Sequence, residues 1–439
     1  MTGFAARLLF ATALTASAGT VFAQAEQTPP EDIDATLALA ERGDAKAQRE
    51  VGIHYADGPA EIHDYEKARY WLQKAADQRD ADAQYRLGQL YFEGDGGPVD
   101  AGKGEALMSA AAEQGLVRAQ VDLAFRYRDA DQLAVDYAKS LRWFTAAAAQ
   151  GDPKGQLGVG WAYDQGLGVA VDYVKAFALF LRAARQGEVH AQYNVGSYYN
   201  LGRSVAVDCA SAEEWYRRAA AQGFADAMLS LGHLARKCSV LGLQQSAEWW
   251  QKAAEHGSDV ACMNLGIMYR DGDGVPQDRQ EAFKWFLKGA QMGNAAAQGA
   301  VGLAYQYGSG VATDYEQAAR WLRLAASKKD PLSLCNFGML YDKGWGVPHD
   351  EREALRLFHE SANLGVGQAQ FNLGVYYRDG KGTEADPVAS YFWFSVAARE
   401  HFPQAQDRAD KMRKLLTPAQ IAEADRRVTQ WKPVTDESQ

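Results

Sequence analysis

Three aspartates within the stretch DGDGVPQD, residues 271–278, are spaced as in some calcium-binding loops. Asp271, Asp273 and Asp278 carry carboxylates, and carboxylate oxygens are ligands that calcium prefers. The stretches EGDGGPVD, YGSGVATD and KGWGVPHD occupy the same place elsewhere in the chain, and only the two glycines and the final aspartate are common to all of them. The sequence therefore predicts a turn followed by a helix cap here, and no bound metal.

The other residues that could take part in catalysis or metal binding do not have the spacing that such sites require. The eight histidines are scattered and lack the H-E-x-x-H spacing of a zinc site. The chain contains neither S-x-x-K nor G-x-S-x-G, the motifs of serine β-lactamases and α/β-hydrolases. GLGVAV and GSGVAT resemble phosphate-binding loops, but no strand precedes them. We therefore predict that the protein is not an enzyme and binds no cofactor.

A repeat of 36 residues organises most of the chain. AQYRLGQLYFEG begins at Ala83, AQYNVGSYYNLG at Ala191 and AQFNLGVYYRDG at Ala369. Ten units cover residues 47–404, and only the sixth, which begins at Ala227, is shortened to 34 residues. Regular units of this length are the sequence signature of a stacked solenoid.

Each repeat predicts two helices, which we call helix A and helix B. Position 1 is the first residue of each unit. In helix A, position 5 is apolar, while position 6 is glycine and position 9 is tyrosine in nine of the ten repeats. Positions 1, 5 and 9 therefore form one face of a helix. In helix B, position 25 is tryptophan in seven repeats, and a glycine at position 33 is typical of a helix C-terminus.

The turn between the two helices usually reads G-x-G-V and is followed by aspartate at position 18. An aspartate just before a helix accepts hydrogen bonds from the free backbone amides of the first turn, which stabilises the helix by roughly 1 kcal/mol. We expect this role for Asp64, Asp100, Asp136, Asp172, Asp208, Asp278, Asp314, Asp350 and Asp386.

The N-terminal residues MTGFAARLLFATALTASAGTVFA predict a secretory signal peptide. Arg7 precedes an apolar run that ends near Ala18, and Val21 and Ala23 are small residues that suit cleavage after Ala23. The run is too short to span a bilayer, and no later apolar segment approaches the ~18 residues of a span. The expected mature chain has no transmembrane segment and is exported to the periplasm, with secretion as the alternative.

Composition and charge narrow the class of partner. The sequence is 47% hydrophobic and 23% charged, which indicates a folded core. Its formal net charge is −10, which argues against nucleic acid and against an anionic membrane surface as a partner.

The pattern A-Q-x-x-[LV]-G-x-x-Y-x-x-G-x-G-V-x-x-D-x-x-K-A-x-x-W-x-x-x-A-A-x-x-G resembles the Sel1-like repeat, a branch of the tetratricopeptide (TPR) superfamily. Repeats 7 and 8 fit it nearly residue for residue, whereas repeat 3 lacks the turn glycines and repeat 6 lacks both the tyrosine and the aspartate. The resemblance implies a scaffold that holds other proteins. Exported relatives are similar to envelope regulators, assembly factors and host-interaction proteins, and some cysteine-rich ones have been linked to penicillin binding.

We therefore expect an all-α, right-handed superhelical solenoid of about ten 36-residue helix-turn-helix (Sel1-like/TPR-like) repeats. Leu416, Ile421, Val428 and Trp431 are expected to cover the last exposed core. The expected segments are a signal peptide (1–23), a polar lead-in (24–32), an N-terminal capping helix (33–46), ten Sel1-like repeats (47–404), C-terminal capping helices (405–432) and a tail (433–439).

Two of the four cysteines are placed to pair. Cys209 begins helix B of repeat 5 and Cys238 ends helix A of repeat 6, so both belong to one edge of the stack. Export permits a disulfide, which would stabilise the fold by roughly 3–4 kcal/mol in a chain-entropy model. The alternative is two independent turn cysteines. Cys262 and Cys335 begin helices two repeats apart, too far for a bridge.

Helix A places positions 3, 7 and 10 opposite its core face, on the side that lines the concave surface of helical-pair solenoids. Aromatic and arginine side chains there suit recognition of a peptide or a loop. The alternative is that positions 3 and 7 pack only against neighbouring A helices. Phe125 and Trp161 are the strongest candidates because neighbouring repeats are polar or small there. The predicted partner-binding residues are Tyr85, Phe125, Arg128, Leu157, Trp161, Tyr193, His233, Arg236, Arg270 and Arg378.

These observations predict an exported scaffold or adaptor that binds a protein or peptide on its concave face, in envelope signalling or assembly. One alternative is a penicillin-binding or β-lactamase-like activity, as implied by cysteine-rich relatives, although the four cysteines lack their regular arrangement. Another is a secreted factor that binds host proteins.

Overall fold

The computed structural model describes residues 33–59, 62–238 and 242–434. Within these ranges the chain contains 23 α-helices and no strand. The expected signal peptide and lead-in, and residues 435–439 of the expected tail, lie outside the described residues.

One short helix, α1 (Ile33–Glu41), precedes ten helix pairs. Helix A of repeats 1 to 10 is α2 (Ala45–Asp57), α4 (Ala81–Glu93), α6 (Val117–Asp129), α8 (Pro153–Gln165), α10 (Val189–Leu201), α12 (Ala225–Cys238), α14 (Asp259–Asp271), α16 (Ala295–Tyr307), α18 (Pro331–Lys343) and α20 (Gly367–Asp379). Helix B is α3 (Tyr65–Asp77), α5 (Ala101–Glu113), α7 (Tyr137–Ala149), α9 (Tyr173–Arg185), α11 (Cys209–Ala220), α13 (Gly242–Glu255), α15 (Arg279–Gln291), α17 (Tyr315–Ser327), α19 (Glu351–Asn363) and α21 (Pro387–Arg399). Two more helices end the chain, α22 (Ala405–Arg413) and α23 (Pro418–Gln430).

The chain forms two compact units, residues 1–179 and 180–439, and the division falls within α9. In the first unit each helix packs on the next one, from α1 to α8. In the second unit the same serial packing runs from α10 to α22, and α23 packs on α21. The all-α repeat solenoid predicted from the sequence is therefore confirmed.

Position 6 is glycine because the side chain at position 26 of helix B lies directly against it. A Cβ atom at Gly52 would lie 2.6 Å from Cγ of Leu72, and one at Gly88 would lie 2.8 Å from Cγ of Met108. Both distances are too short for carbon atoms, so a larger residue at Gly52 or Gly88 would require the facing side chain or the helix to shift.

Aspartate begins helix B as predicted. In α5, for example, the carboxylate of Asp100 accepts a hydrogen bond from the amide of Lys103 (3.0 Å). This backbone hydrogen bond is the main reason why the pKa of Asp100 is lowered. The same type of bond also begins most A helices, which the sequence analysis missed. The residues that cap helix A through their side chains are Asp44, Asp80, Asp152, Glu188, Ser258, Asn294 and Asp330.

A glutamine relay ties repeats 1, 2, 3 and 5 to the helix before them: the glutamine at position 2 is buried, and the one at position 32 is exposed. Nε2 of Gln48, at position 2, donates to the carbonyl of Ala40 at the end of α1 (3.0 Å). Nε2 of Gln78, at position 32, then donates to Oε1 of Gln48 (2.8 Å) and to the carbonyl of Gly43 (3.0 Å). The glutamine–glutamine bond recurs in the pairs Gln84–Gln114, Gln120–Gln150 and Gln192–Gln222.

The two ends of the repeat array are covered by apolar side chains. Ile33 and Leu37 of α1 pack on the core around Val51 and Trp71. At the other end, Leu416 and Ile421 pack on one core cluster, and Val428 and Trp431 pack on the cluster that contains Trp393. These contacts bury the apolar faces that a terminal repeat would otherwise leave in water.

Cys209 and Cys238 form a disulfide, with their Cα atoms 6.2 Å apart, whereas Cys262 and Cys335 are free and buried. The position of the bridge has a structural reason. In six repeats a turn glycine lies against the backbone of the first or second residue of the preceding helix B, as Gly96 lies against Tyr65. Repeat 6 lacks this glycine, and Cys209 is the first residue of the preceding helix B. The disulfide therefore joins two repeats at the place where the glycine contact is missing.

Candidate partner-binding surface

The A helices are more buried than the sequence pattern predicted, and two of the expected contact residues are not accessible. Tyr85 is 6% exposed and Leu157 is 2% exposed. The hydroxyl of Tyr85 donates to Asp122 in the next repeat (2.6 Å) and accepts from Nε2 of Gln89 (2.8 Å), and burial raises its pKa. The prediction that Tyr85 and Leu157 contact a partner is therefore wrong: position 3 is buried in these two units, and Tyr85 faces the next repeat.

Three of the predicted residues come together on α6 and α8. The guanidinium carbon of Arg128 lies 4.7 Å from the ring centroid of Phe125 and 4.7 Å from that of Trp161. Phe125 also meets Phe144 edge to face, with the ring centroids 5.0 Å apart. We call Phe125, Arg128 and Trp161 the Arg128 cluster.

An ion pair fixes the orientation of the Arg128 guanidinium. Its Nε and Nη2 donate to the two carboxylate oxygens of Asp129, at 2.6 Å and 2.8 Å. The Arg128 side chain is 17% exposed, and that of Asp129 is 44% exposed. A partner would therefore meet an ordered surface of ring edges, a stacked guanidinium and an accessible carboxylate. A small depression beside it is lined by Tyr137, Ser140, Leu141 and Leu167.

The predicted arginines at the end of two other A helices also pair with the next residue. Arg270 donates to both oxygens of Asp271, at 2.7 Å and 2.8 Å, and Arg378 binds Asp379 at 2.6 Å and 2.8 Å. These hydrogen bonds lower the pKa of both aspartates. A partner would therefore meet ion pairs at these two arginines, not isolated positive charges. Neither guanidinium lies between two aromatic rings, as that of Arg128 does.

A second group forms around Trp250 in repeat 6. The ring of His233 meets the Trp250 ring edge to face at 5.1 Å, and the guanidinium carbon of Arg236 lies 5.8 Å from it. Both predicted residues are exposed, whereas Trp250 is buried. Tyr193 is half-buried and packs on Tyr216, with centroids 5.5 Å apart, so it contributes mainly to the core.

The sequence analysis missed a row of alternating charges on the first A helices. Nη1 of Arg49 lies 2.8 Å from Asp80 and 3.6 Å from Asp82, and Asp82 also pairs with Arg118 of the next repeat. Asp82 and Arg118 stand one residue before position 1 in consecutive repeats. Aligning the repeats at that position reveals the opposite charges of Lys46, Asp82 and Arg118 in the first three repeats.

The three aspartates of the apparent calcium loop have separate structural roles. Asp278 accepts hydrogen bonds from the backbone amides that begin α15. Asp271 pairs with Arg270, and Asp273 lies 4.0 Å from Arg236. Throughout the described residues, no group of three or more histidine, cysteine or acidic side chains is placed to hold a metal ion.

None of the described helices has both the length and the apolar character needed to cross a membrane.

The fold and this surface define a helical-repeat protein whose side-chain clusters suit protein recognition. The Sel1 repeat family model matches ten consecutive segments that run from residue 45 to residue 401. The chain therefore belongs to the Sel1 repeat family, whose members generally act as scaffolds for protein interactions. The family segments begin two residues before the units read from the sequence, at the first residue of helix A in all ten repeats.

Two solved structures are similar along most of their length. One is c5321, a protective antigen of uropathogenic Escherichia coli with an SLR fold: it is 29% identical, with a TM-score of 0.58, and the match covers 91% of this chain and 94% of c5321. The other is a Sel1 repeat protein from Oxalobacter formigenes: it is 31% identical, with a TM-score of 0.60, and the match covers 69% of this chain and 88% of that one. A comparison with curated proteins gave no significant match.

Proposed function

We propose that this protein is an exported scaffold that binds a protein or peptide. The binding surface is the side of the A helices that carries positions 7 and 10, centred on the Arg128 cluster. One observation carries the proposal: an arginine held between two aromatic rings and locked by a carboxylate, on a surface that remains partly open. Tryptophan and arginine are the residue types that most often dominate the energy of protein interfaces. Their fixed geometry reduces the entropy lost on binding.

Two observations support the exported location. The N-terminal sequence has the charged start, apolar run and small residues of a signal peptide. In addition, the Cys209–Cys238 disulfide is of a kind that forms and persists in oxidising compartments. We propose the periplasm as the site of action and envelope signalling or assembly as the process.

Cell fractionation and mass spectrometry test the location. We expect a chain that begins after Ala23 in the periplasmic fraction. Recovery of the same processed chain from the medium would favour the secreted alternative. Recovery of an uncleaved chain in the cytoplasm would contradict export.

Quantitative affinity capture from periplasmic extract tests the binding surface. Arg128→Ala and Trp161→Ala should each reduce the capture of specific proteins roughly tenfold or more, because each removes part of the aromatic–arginine cluster. Arg142→Ala is the matched control: Arg142 also stacks on a tryptophan, Trp143, at 4.6 Å, but it lies on helix B. Circular dichroism checks that each variant folds. The same captured proteins in the same amounts from all four baits would contradict the proposed surface.

A further inference from the structure

The tyrosine at position 9 of helix A can reach the preceding repeat. In three junctions the structure shows it in contact with the residue at position 23 of the preceding repeat. The pairs are Arg69–Tyr91 (4.4 Å from guanidinium carbon to ring centroid), Glu105–Tyr127 (a hydrogen bond donated by the phenol hydroxyl) and Phe283–Tyr305 (5.3 Å between ring centroids). Position 23 and the next tyrosine therefore form a recurring contact of the fold.

Repeat 6 has alanine, Ala235, where the other nine repeats have this tyrosine. The residue at position 23 of the preceding repeat is Glu213, the equivalent of Glu105. A cleft of about 230 Å³ opens at this junction. The side chains that line it include Glu213, Leu231, Leu234, Ala235, Gln245 and Trp249.

The chemistry of the cleft matches the missing side chain. Leu231 and Leu234 are buried and give it an apolar floor, and the half-buried Trp249 gives it an aromatic wall. Glu213 supplies an acceptor at the place where Glu105 accepts the Tyr127 hydroxyl. Arg217 donates to Oε1 of Glu213, at 2.9 Å and 2.7 Å, so the carboxylate keeps a second oxygen for another donor.

The disulfide gives the cleft a defined shape. Cys209 on α11 and Cys238 on α12 are both part of its lining, and they link two of the three helices that line it. A covalent link of this kind limits the separation of the two walls, and a preformed site loses less entropy on binding than one that must be assembled.

We propose that this cleft receives a tyrosine side chain of a partner protein, in the place that the repeat's own tyrosine fills elsewhere in the chain. The ring packs on Leu231 and Leu234, and the phenol hydroxyl donates to Glu213. The site is formed by repeats 5 and 6 alone. The proposal can therefore be tested independently of the Arg128 cluster, which lies in repeats 3 and 4.

Saturation-transfer NMR with N-acetyl-tyrosinamide tests the proposal on the full chain. The ring protons should receive saturation from the wild-type protein. N-acetyl-phenylalaninamide should bind roughly tenfold more weakly, because it cannot make the charge-assisted hydrogen bond. Ala235→Tyr should abolish the signal of both probes by filling the cleft with an internal tyrosine, and it should raise the thermal midpoint.

The Glu213→Gln variant distinguishes recognition of the phenol hydroxyl from packing of the aromatic ring. It should weaken binding of the tyrosine probe while leaving binding of the phenylalanine probe unchanged. Any one of three results would overturn the proposal: no saturation transfer to the tyrosine probe with wild type, equal binding of the two probes, or full binding of the tyrosine probe by Ala235→Tyr.

Discussion

At the scale of single residues, burial separates the side chains that the sequence could identify from those that it could not. Asp278 was recognised as a helix cap because its partners are backbone amides a few residues away. Tyr85 was misjudged because its partner, Asp122, is 37 residues away and belongs to the next repeat. Whether a position-3 side chain is exposed depends on what the neighbouring repeat places beside it, and the pattern within one repeat does not contain that information.

Asp342 provides a test of one such contact between repeats. It accepts a hydrogen bond from the Tyr376 hydroxyl (2.6 Å), and the ammonium groups of Lys343 and Lys381 lie 2.8 Å and 3.2 Å away. Burial raises the pKa of Asp342, but these three partners outweigh burial and hold the pKa at about 2. We expect Asp342→Asn to lower the free energy of unfolding by about 2 kcal/mol at pH 7.

The pH dependence of this loss follows from the sign of the shift. The folded-state pKa is depressed, so the stabilisation is fully present above about pH 4 and is lost as the pH falls towards 2. Urea unfolding should therefore show a gap between wild type and Asp342→Asn that closes over this range. Asp273→Asn is the control, since the Asp273 side chain is half exposed and 4.0 Å from Arg236. A gap that stays constant from pH 7 to pH 2 would contradict the assignment.

At the scale of the helices, the caps explain why helices of such different composition begin alike, and the glutamine relay adds a contact between the first repeats. Repeats 6 to 10 lack the glutamine at position 32; in repeat 8 the position-2 glutamine, Gln298, is kept, but position 32 is Lys328. Its ammonium donates to the carbonyl of Gly293, and Oε1 of Gln298 is left buried without a hydrogen-bond partner. An unpaired buried acceptor lowers stability by roughly 1–3 kcal/mol relative to a paired one.

Lys328→Gln should restore the relay in repeat 8. We expect the amide to bond both Gly293 and Gln298, as the equivalent glutamines do elsewhere, and to stabilise the protein by about 1 kcal/mol. The measurement is the midpoint of thermal or urea unfolding. Lys329→Gln changes the neighbouring lysine, which has no part in the relay, and serves as the control. An equal shift for both variants, or none for Lys328→Gln, would argue against the relay.

At the scale of the whole molecule, the sequence predicted the repeat architecture well because the same local rules apply ten times. The features that are particular to this chain lie in the repeats that depart from the pattern. Repeat 6 departs from the pattern in length, in its turn and at position 9, and the structure places the disulfide and the proposed tyrosine cleft there. The clustering of Arg128 between Phe125 and Trp161 could only be suspected from the sequence, because it depends on the offset between two A helices.

The disulfide should be the main stabilising link between repeats 5 and 6. It joins residues 29 positions apart, so its loss in Cys209→Ser/Cys238→Ser should destabilise this region by roughly 3 kcal/mol in the chain-entropy model. Hydrogen exchange should show faster exchange in α11 and α12 than in helices remote from the bridge. Dithiothreitol should destabilise wild type but not the double variant. Four free thiols in the unreduced, denatured wild-type protein would show that the bridge does not form.

The most direct test of the central claim is site-specific photo-crosslinking in periplasmic extract. A benzophenone amino acid is placed in one variant at the exposed Gln165, four residues after Trp161 on the same face of helix A, and in another at Arg142 on helix B. The proposed surface predicts crosslinked partner bands from position 165 that are absent from position 142. Bands from position 142 alone, or none from position 165 while partners are still captured, would show that the partner binds elsewhere on the repeats.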